Sequence, residues 1–274
     1  MIPTPVDPLA YRKFWQFVAR RMECYWWEKA GNPRSTFRDR HIATNMRILN
    51  VMRELDAGCE WFHKNRIEQG AQSLEDVLWY TLSVHFVDRI SSFERFGFPK
   101  PDESLHKWLD DCEHAIHRGL VFFANIHQTI GWRRYRMVME GLLQDEHYKV
   151  IAAQIRDTKS LEGVYNIMMK VDGNSHYNTW QEMAYMLEAG VLPYGENNWV
   201  RLGPGAHCGL RYIWNRNFGE RQGLQLLKWL YEEQFIHLPK YNFKIPEPYT
   251  ELTLKALEHT LCEYCRYSNR LYNH

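Results

Sequence analysis

PLAYRKFWQFVARRMECYWWE, residues Pro8 to Glu28, sets the reading of the whole chain. Tyr11, Phe14, Trp15, Val18, Met22, Tyr25 and Trp26 recur at steps of three and four, the period of one helical face. GNPRST (Gly31 to Thr36) breaks that helix, and the spacing predicts a second from about Asp39 to Asn65, with Ile48, Val51, Met52 and Leu55 buried. Ser73 and Asp76 have capping-box spacing before LEDVLWYTLSVHFVDRISSFERFG, which reads as one helix stopped by Gly97 and Pro99. Further helical periods cover DESLHKWLDDCEHAIHRGLVFFAN to about Asn125, MVMEGLLQDEHYKVIAAQIRD, Ser160 to Val171, LQLLKWLYEEQF and the stretch from Thr250 onward. Strand-type alternation is almost absent. The expectation is an all-α fold of about nine or ten helices, one domain over residues 1–274, without repeats.

A chain of 274 residues with 45% apolar and 24% charged residues can bury a full core. Met1 to Trp15 shows no basic stretch followed by an apolar run, and no segment has the roughly 18 apolar residues of a membrane span. No membrane partner is expected, and the reading is cytoplasmic. With a net charge of +1, any nucleic-acid contact must come from a local basic surface. Six cysteines without a secretion signal read as reduced thiols. Cys262, Cys265 and His259 could give three metal ligands, but no fourth has convincing spacing, so no cofactor is expected.

Three segments carry reactive groups. In LEHTLCEYCRY (Leu257 to Tyr267), helical spacing puts Glu258 over Cys262 and His259 over Glu263, next to Arg266. That strip holds an acid, a cation and an imidazole able to carry protons near neutral pH. Its plainer reading is an amphipathic closing helix with Leu254, Leu257, Leu261 and Tyr264 inward and the charges in water. In RILNVMRELDAG (Arg47 to Gly58), Asn50, Arg53 and Glu54 share a face opposite the apolar stripe, near Arg47 and Asp56. Solvated charge is the plainer reading there, although Asn in mid-helix is slightly unfavourable, which makes Asn50 a candidate for reading a base edge or orienting Arg53. In RLGPGAHCGLRYI (Arg201 to Ile213), Gly203, Pro204 and Gly205 lie between two expected helices, with Ala206 to Gly209 opening the second. This looks like a helix-hairpin-helix turn, whose glycines admit a phosphate to helix N–H groups while Arg201 and Arg211 flank it. An ordinary helix-to-helix turn accounts for the same residues.

Together FWQFVARRMECYWWEKAGNP, RILNVMRELDAG, LEDVLWYTLSVHFVDRISSFERFGFP, LGPGAHCGL and LEHTLCEYCRY resemble the α-glutamyl/putrescinyl thymine pyrophosphorylase family, amino acid:DNA transferases of phage thymine hypermodification. Two places depart from the family pattern. RSTFRD follows AGNP in place of Pro-Trp-Thr and an acid, and Ala256 and Leu257 stand where an Asp usually precedes Glu-His. The resemblance implies a DNA-glycosylase-like helical fold and DNA carrying pyrophosphorylated 5-hydroxymethyluracil, from which an amino acid or polyamine displaces pyrophosphate. A divalent metal assisting that pyrophosphate is left open without being indicated. It also implies other enzymes of the pathway as partners, in an infected host cell. Arg47, Arg53 and Arg266 are then cations for pyrophosphate, and His259, Glu258 or Glu263 takes the amine's proton. The candidate site comprises Asn50, Arg53, Glu258, His259 and Glu263 as catalytic groups and Arg47, Glu54, Asp56, Cys262 and Arg266 as substrate contacts. Arg201, Gly203, Pro204, Gly205, Ala206, Gly209 and Arg211 face DNA. Trp61, Trp79 and Tyr80 are candidates to line a pocket for an extruded base.

Two other functions fit an all-α fold with such a turn. A glycosylase or lyase acting on a modified pyrimidine needs an acid or lysine soon after the turn. Here GLRYIWNRNFGERQG offers Glu220, and no lysine occurs before Lys228. A non-catalytic DNA-binding module would work without His259 or Glu263.

Overall fold

The computed structural model describes residues 7–43, 49–67, 73–124 and 130–272, with the side chains of 66, 67 and 270–272 excepted. Every regular element among them is helical, as the periodicity requires. The helices gather into two compact units, residues 1–56 with 199–274 and residues 57–198.

The first unit contains α1 (Pro8–Lys29), α2 (Arg40–Ala43), α11 (Pro204–Trp214), α12 (Glu220–His237) and α13 (Leu254–Tyr272). Asp7 caps α1 by accepting the Leu9 N–H at 2.7 Å, and Pro8 fills the first helical position, where no donor is needed. Thr253 starts α13, its hydroxyl accepting the Ala256 N–H at 3.2 Å. Phe14, Trp15, Trp214, Leu227, Leu230, Leu257 and Leu261 are fully buried, each stabilising the unit by roughly 1.5–3 kcal/mol. Phe14 meets Tyr264 edge-on at 5.3 Å, and Trp15 stacks on His237 at 5.5 Å.

The closest packing is α11 on α13. A side chain at Gly209 would sit 2.9 Å from the Leu261 carbonyl carbon, and one at Gly205 would sit 3.2 Å from the Cys262 Cα. The two glycines are one helical turn apart, so they form a groove that lets the helix axes approach. A Cys208–Cys265 disulfide, Cα–Cα 5.5 Å, joins the same helices. These two cysteines are therefore oxidised, contrary to the reduced-thiol expectation, because helix packing brings residues 57 positions apart into bonding range.

The second unit contains α3 (Ala57–Phe62), α4 (Leu74–His85), α5 (Ile90–Phe96), α6 (Ser104–His117), α7 (Trp132–Leu143), α8 (His147–Asp157), α9 (Leu161–Met168) and α10 (His176–Glu188). Ser73, Ser160 and Ser175 cap α4, α9 and α10 through the N–H groups of Asp76, Gly163 and Asn178. Several expected helices are divided, giving thirteen α-helical segments among the described residues rather than nine or ten. LEDVLWYTLSVHFVDRISSFERFG breaks between His85 and Ile90, where Asp88 is left-handed (φ 45°). The stretch from Met137 to Asp157 breaks at Asp145 and Glu146, both with φ 51°, and α6 stops at His117 before Gly119 (φ 91°). Asp tolerates the left-handed region locally, and helical periodicity alone does not register such single-residue kinks.

The expected helix from Asp39 to Asn65 is also divided. α2 ends at Ala43, Leu49 to Met52 are non-helical, and Arg53–Leu55 form a short 3-10 turn before α3. Asn50 and Asp56 close this loop. The Asn50 N–H donates to Asp56 Oδ1 at 2.8 Å, and Asn50 Nδ2 donates to the Leu55 carbonyl at 2.6 Å. Asn and Asp side chains compete with the helical ladder in this way, so the shared helical face of Asn50, Arg53 and Glu54 does not exist.

Candidate active site

The loop from Leu49 to Asp56 lies along α13, and α13 side chains satisfy it. Lys255 Nζ meets Glu54 Oε1 at 2.6 Å, and the Thr260 hydroxyl donates to the Val51 carbonyl at 3.1 Å. The Leu49 N–H donates to Glu263 Oε2 at 3.1 Å, while Glu263 Oε1 receives Arg266 Nη1 at 2.5 Å. His259 Nε2 stands 3.8 Å from Asp56 Oδ2. The strip from Lys255 to Glu263 is thus turned inward, with Arg266 at its exposed end. Lys255, Glu258, His259 and Glu263 are all buried, contrary to the reading of charges in water, because the loop, α1, α2, α11 and α12 surround α13.

Burial sets the charges. Asp56 is pushed up to about 7, chiefly by desolvation, against the Asn50 N–H and Arg21, which favour its ionised form. The Glu263 carboxyl is also raised, first by burial and against the pull of Arg266 and Arg21. His259 is pushed down to about 3 by burial and by Arg53, Arg21, Arg266 and Lys255. It is thus held as the neutral imidazole near pH 7, where sequence spacing led to the expectation of a titrating one, and Asp56 is the group brought near neutrality. The Cys262 thiol is pushed up to about 12 by burial and the neighbouring carboxylates, and it packs against Gly205.

The structure therefore brings together Arg53, Glu54, Asp56, Glu258, His259, Glu263 and Arg266, and assigns Asn50 to closing its loop. Arg47 lies outside the described residues. Two further groups belong to the cluster. Arg21 on α1 is 2% exposed, and its two terminal nitrogens have no hydrogen-bond partner among the described residues. Lys255 is equally buried in its pair with Glu54. Arg21 had a readable signal: with Phe14, Val18 and Tyr25 it keeps the three- and four-residue step of the apolar stripe, which is unusual for a cation. The cluster shows no group of three or more potential metal ligands, nor do the other described residues.

The Gly-Pro-Gly segment is corrected more sharply. Gly203 is the N-cap of α11, and residues 199–202 before it are non-helical, so the turn opens one helix rather than joining two. The Gly203 N–H, offered to a DNA phosphate in the sequence reading, donates to Glu258 Oε1 at 3.1 Å. A carboxylate of the protein thus lies at the N-cap residue of α11. Gly205, Ala206 and Gly209 face the protein, Gly205 and Gly209 against α13. Arg201 pairs with Glu220 at 3.3 Å, while Pro204 and Arg211 are exposed. In the second unit, Trp79 is fully buried with its indole N–H on the Pro99 carbonyl at 2.8 Å, so it is core and not a base-pocket wall. Tyr80 is buried too, whereas Trp61 is partly exposed.

Among the described residues the elements are helical, and acids, an imidazole and guanidinium groups are held inside one unit. The chain matches the family described as 5-hmdU DNA kinase, helical domain, over residues 9–274, and belongs to that family. The family is linked to the hypermodification of thymine in phage DNA. No curated protein and no solved structure matches the chain. No described helix is long and apolar enough to cross a membrane.

Proposed function

We propose that the chain acts on DNA in which 5-hydroxymethyluracil has been activated as its pyrophosphate ester, and transfers an amine, from an amino acid or a polyamine, to the base. The observation that carries this reading is the Asp56–His259 contact inside a ring of cations. The amine nitrogen forms a bond to the methylene carbon while the carbon–oxygen bond to pyrophosphate breaks, and the electron pair leaves on the pyrophosphate oxygen. Asp56, poised near pH 7, takes the proton that the amine must lose. Arg53 and Arg266 offset the charge gathering on the leaving group. His259 lines the approach, neutral until an anion binds beside it.

A second reading is favoured by the family description itself: the helical region holds the hydroxymethylated base while a phosphoryl group is transferred to it. The sequence contains no GxxxxGK[ST] phosphate loop, so under this reading the phosphoryl donor is held by a site of another kind or by a polypeptide segment other than this one. Nucleoside mass spectrometry separates the two. Pyrophosphorylated DNA with amino acids and polyamines should yield an amine-bearing thymidine. Hydroxymethyluracil DNA with ATP should yield a phosphorylated nucleoside only under the kinase reading. Release of free base would instead assign excision.

A further inference from the structure

We propose that the Arg21 guanidinium and the His259 imidazole form a buried receptor for a phosphate-type oxyanion. Arg21 comes from α1 and His259 from α13, both in the first unit. Nη1 and Nη2 of Arg21 and Nε2 of His259 are buried and without hydrogen-bond partners among the described residues. A buried guanidinium with both terminal nitrogens unsatisfied carries the full desolvation cost of those donors, and native proteins rarely leave that uncompensated. Phe17 covers one side of the group, its ring centroid 5.8 Å from Arg21 Cζ. The edge nitrogens are the part of the group left for a ligand, and two parallel N–H donors match the spacing of phosphate oxygens.

Charge around the site favours an anion. Arg21, Arg53, Lys255 and Arg266 oppose Glu54, Asp56, Glu258 and Glu263. Lys255 and Glu54 neutralise one another, and Glu258 is committed to Gly203. With Asp56 near half-protonation at neutral pH and Glu263 raised, the remainder is net positive. The side chains of His259 and Asp56 are each 11% exposed and that of Arg266 is 42% exposed, so these residues lie nearer solvent than Arg21. An oxyanion at this position reverses the bias on His259, drawing a proton onto it and making it a second donor. The site deepens the transfer reading and rests on it in one respect: the oxyanion is taken to be the pyrophosphate leaving group.

The test uses the full chain and inorganic pyrophosphate, followed by imidazole NMR of His259 and by calorimetry. Pyrophosphate should bind and shift the His259 resonances toward the imidazolium form, and Arg21→Gln should weaken binding about tenfold or more, with Arg21→Lys recovering part of it. Unmoved His259 resonances at saturating pyrophosphate overturn the site, and this readout needs no variant to fold. Binding by Arg21→Gln equal to that of the parent overturns it as well. An oligonucleotide carrying the pyrophosphate ester should shift His259 where the unmodified oligonucleotide does not. An equal shift from both refutes the ester assignment in favour of the DNA backbone. A His259 shift without amine transfer leaves the anion site standing and removes the transferase, whereas transfer with silent His259 does the reverse.

Discussion

Asp56 Oδ2 lies 3.8 Å from His259 Nε2, and burial drives the two groups in opposite directions, the acid up to about 7 and the imidazole down to about 3. The ordinary order of a carboxyl and an imidazole is reversed. At neutral pH the carboxyl is the group that exchanges a proton, and the imidazole is uncharged.

If Asp56 accepts the amine's proton, kcat/KM for amine transfer should rise with an apparent pKa of about 7. Asp56→Asn should lose that limb and about 100-fold or more in rate, since general-base catalysis contributes on that scale. A pH–rate profile of both proteins measures this, and a retained limb in Asp56→Asn assigns the proton to another group.

Stability should carry the same inversion. Asp56, raised on folding, contributes stability that is full below about pH 4 and disappears as pH rises through about 7; Glu263 acts in the same direction. His259, lowered on folding, contributes above about pH 6.5 and is lost as pH falls toward 3. The two offset each other between these limits. Asp56→Asn should therefore destabilise steadily on acidification from pH 6.5, by on the order of 2–4 kcal/mol relative to the parent's trend. Urea titrations at several pH values decide it, and parallel curves for the two proteins would count against the inversion.

Lys255 and Glu54 are paired at 2.6 Å with side chains 2% and 9% exposed. Lys255→Met should cost roughly 3–5 kcal/mol by stranding the Glu54 carboxylate, and adding Glu54→Leu should restore much of it. A double-mutant cycle by chemical denaturation tests the pair. A double variant no more stable than Lys255→Met would show that Glu54 is held by other groups.

Gly209→Ala should separate α11 from α13, because the new methyl meets the Leu261 backbone, which cannot swing aside. A loss of about 1–3 kcal/mol is expected, with activity falling as Glu258 shifts from the Gly203 N–H. An Ala variant with the parent's melting temperature would refute the close approach.

Reduction should act on the same contact. Opening the Cys208–Cys265 bridge, which spans 57 positions, should lower stability by about 4 kcal/mol on the chain-entropy estimate. Melting with and without reductant, beside Cys208→Ser, measures it; identical melting in all three would mean that the bridge does not form in solution.

What the sequence determined is local. Three- and four-residue spacing announced α1, Ser73 with Asp76 announced α4, and the period from Ser160 announced α9, whereas α10 with its Ser175 cap was not read; Leu254, Leu257, Leu261 and Tyr264 are buried on α13 as their spacing requires. The clustering of Glu258, His259, Glu263 and Arg266 was legible for the same reason, since helical geometry fixes which neighbours share a face. What tertiary structure decided is which of those charges face water. Glu54 meets Lys255 across 201 positions, Leu49 meets Glu263 across 214, and Glu258 caps α11 across 55. No local pattern encodes such pairings. They follow from α13 being enclosed along most of its length, so that Lys255, Glu258, Thr260 and Glu263 find partners inside, and Arg21 and His259 are where terminal nitrogens remain unpartnered.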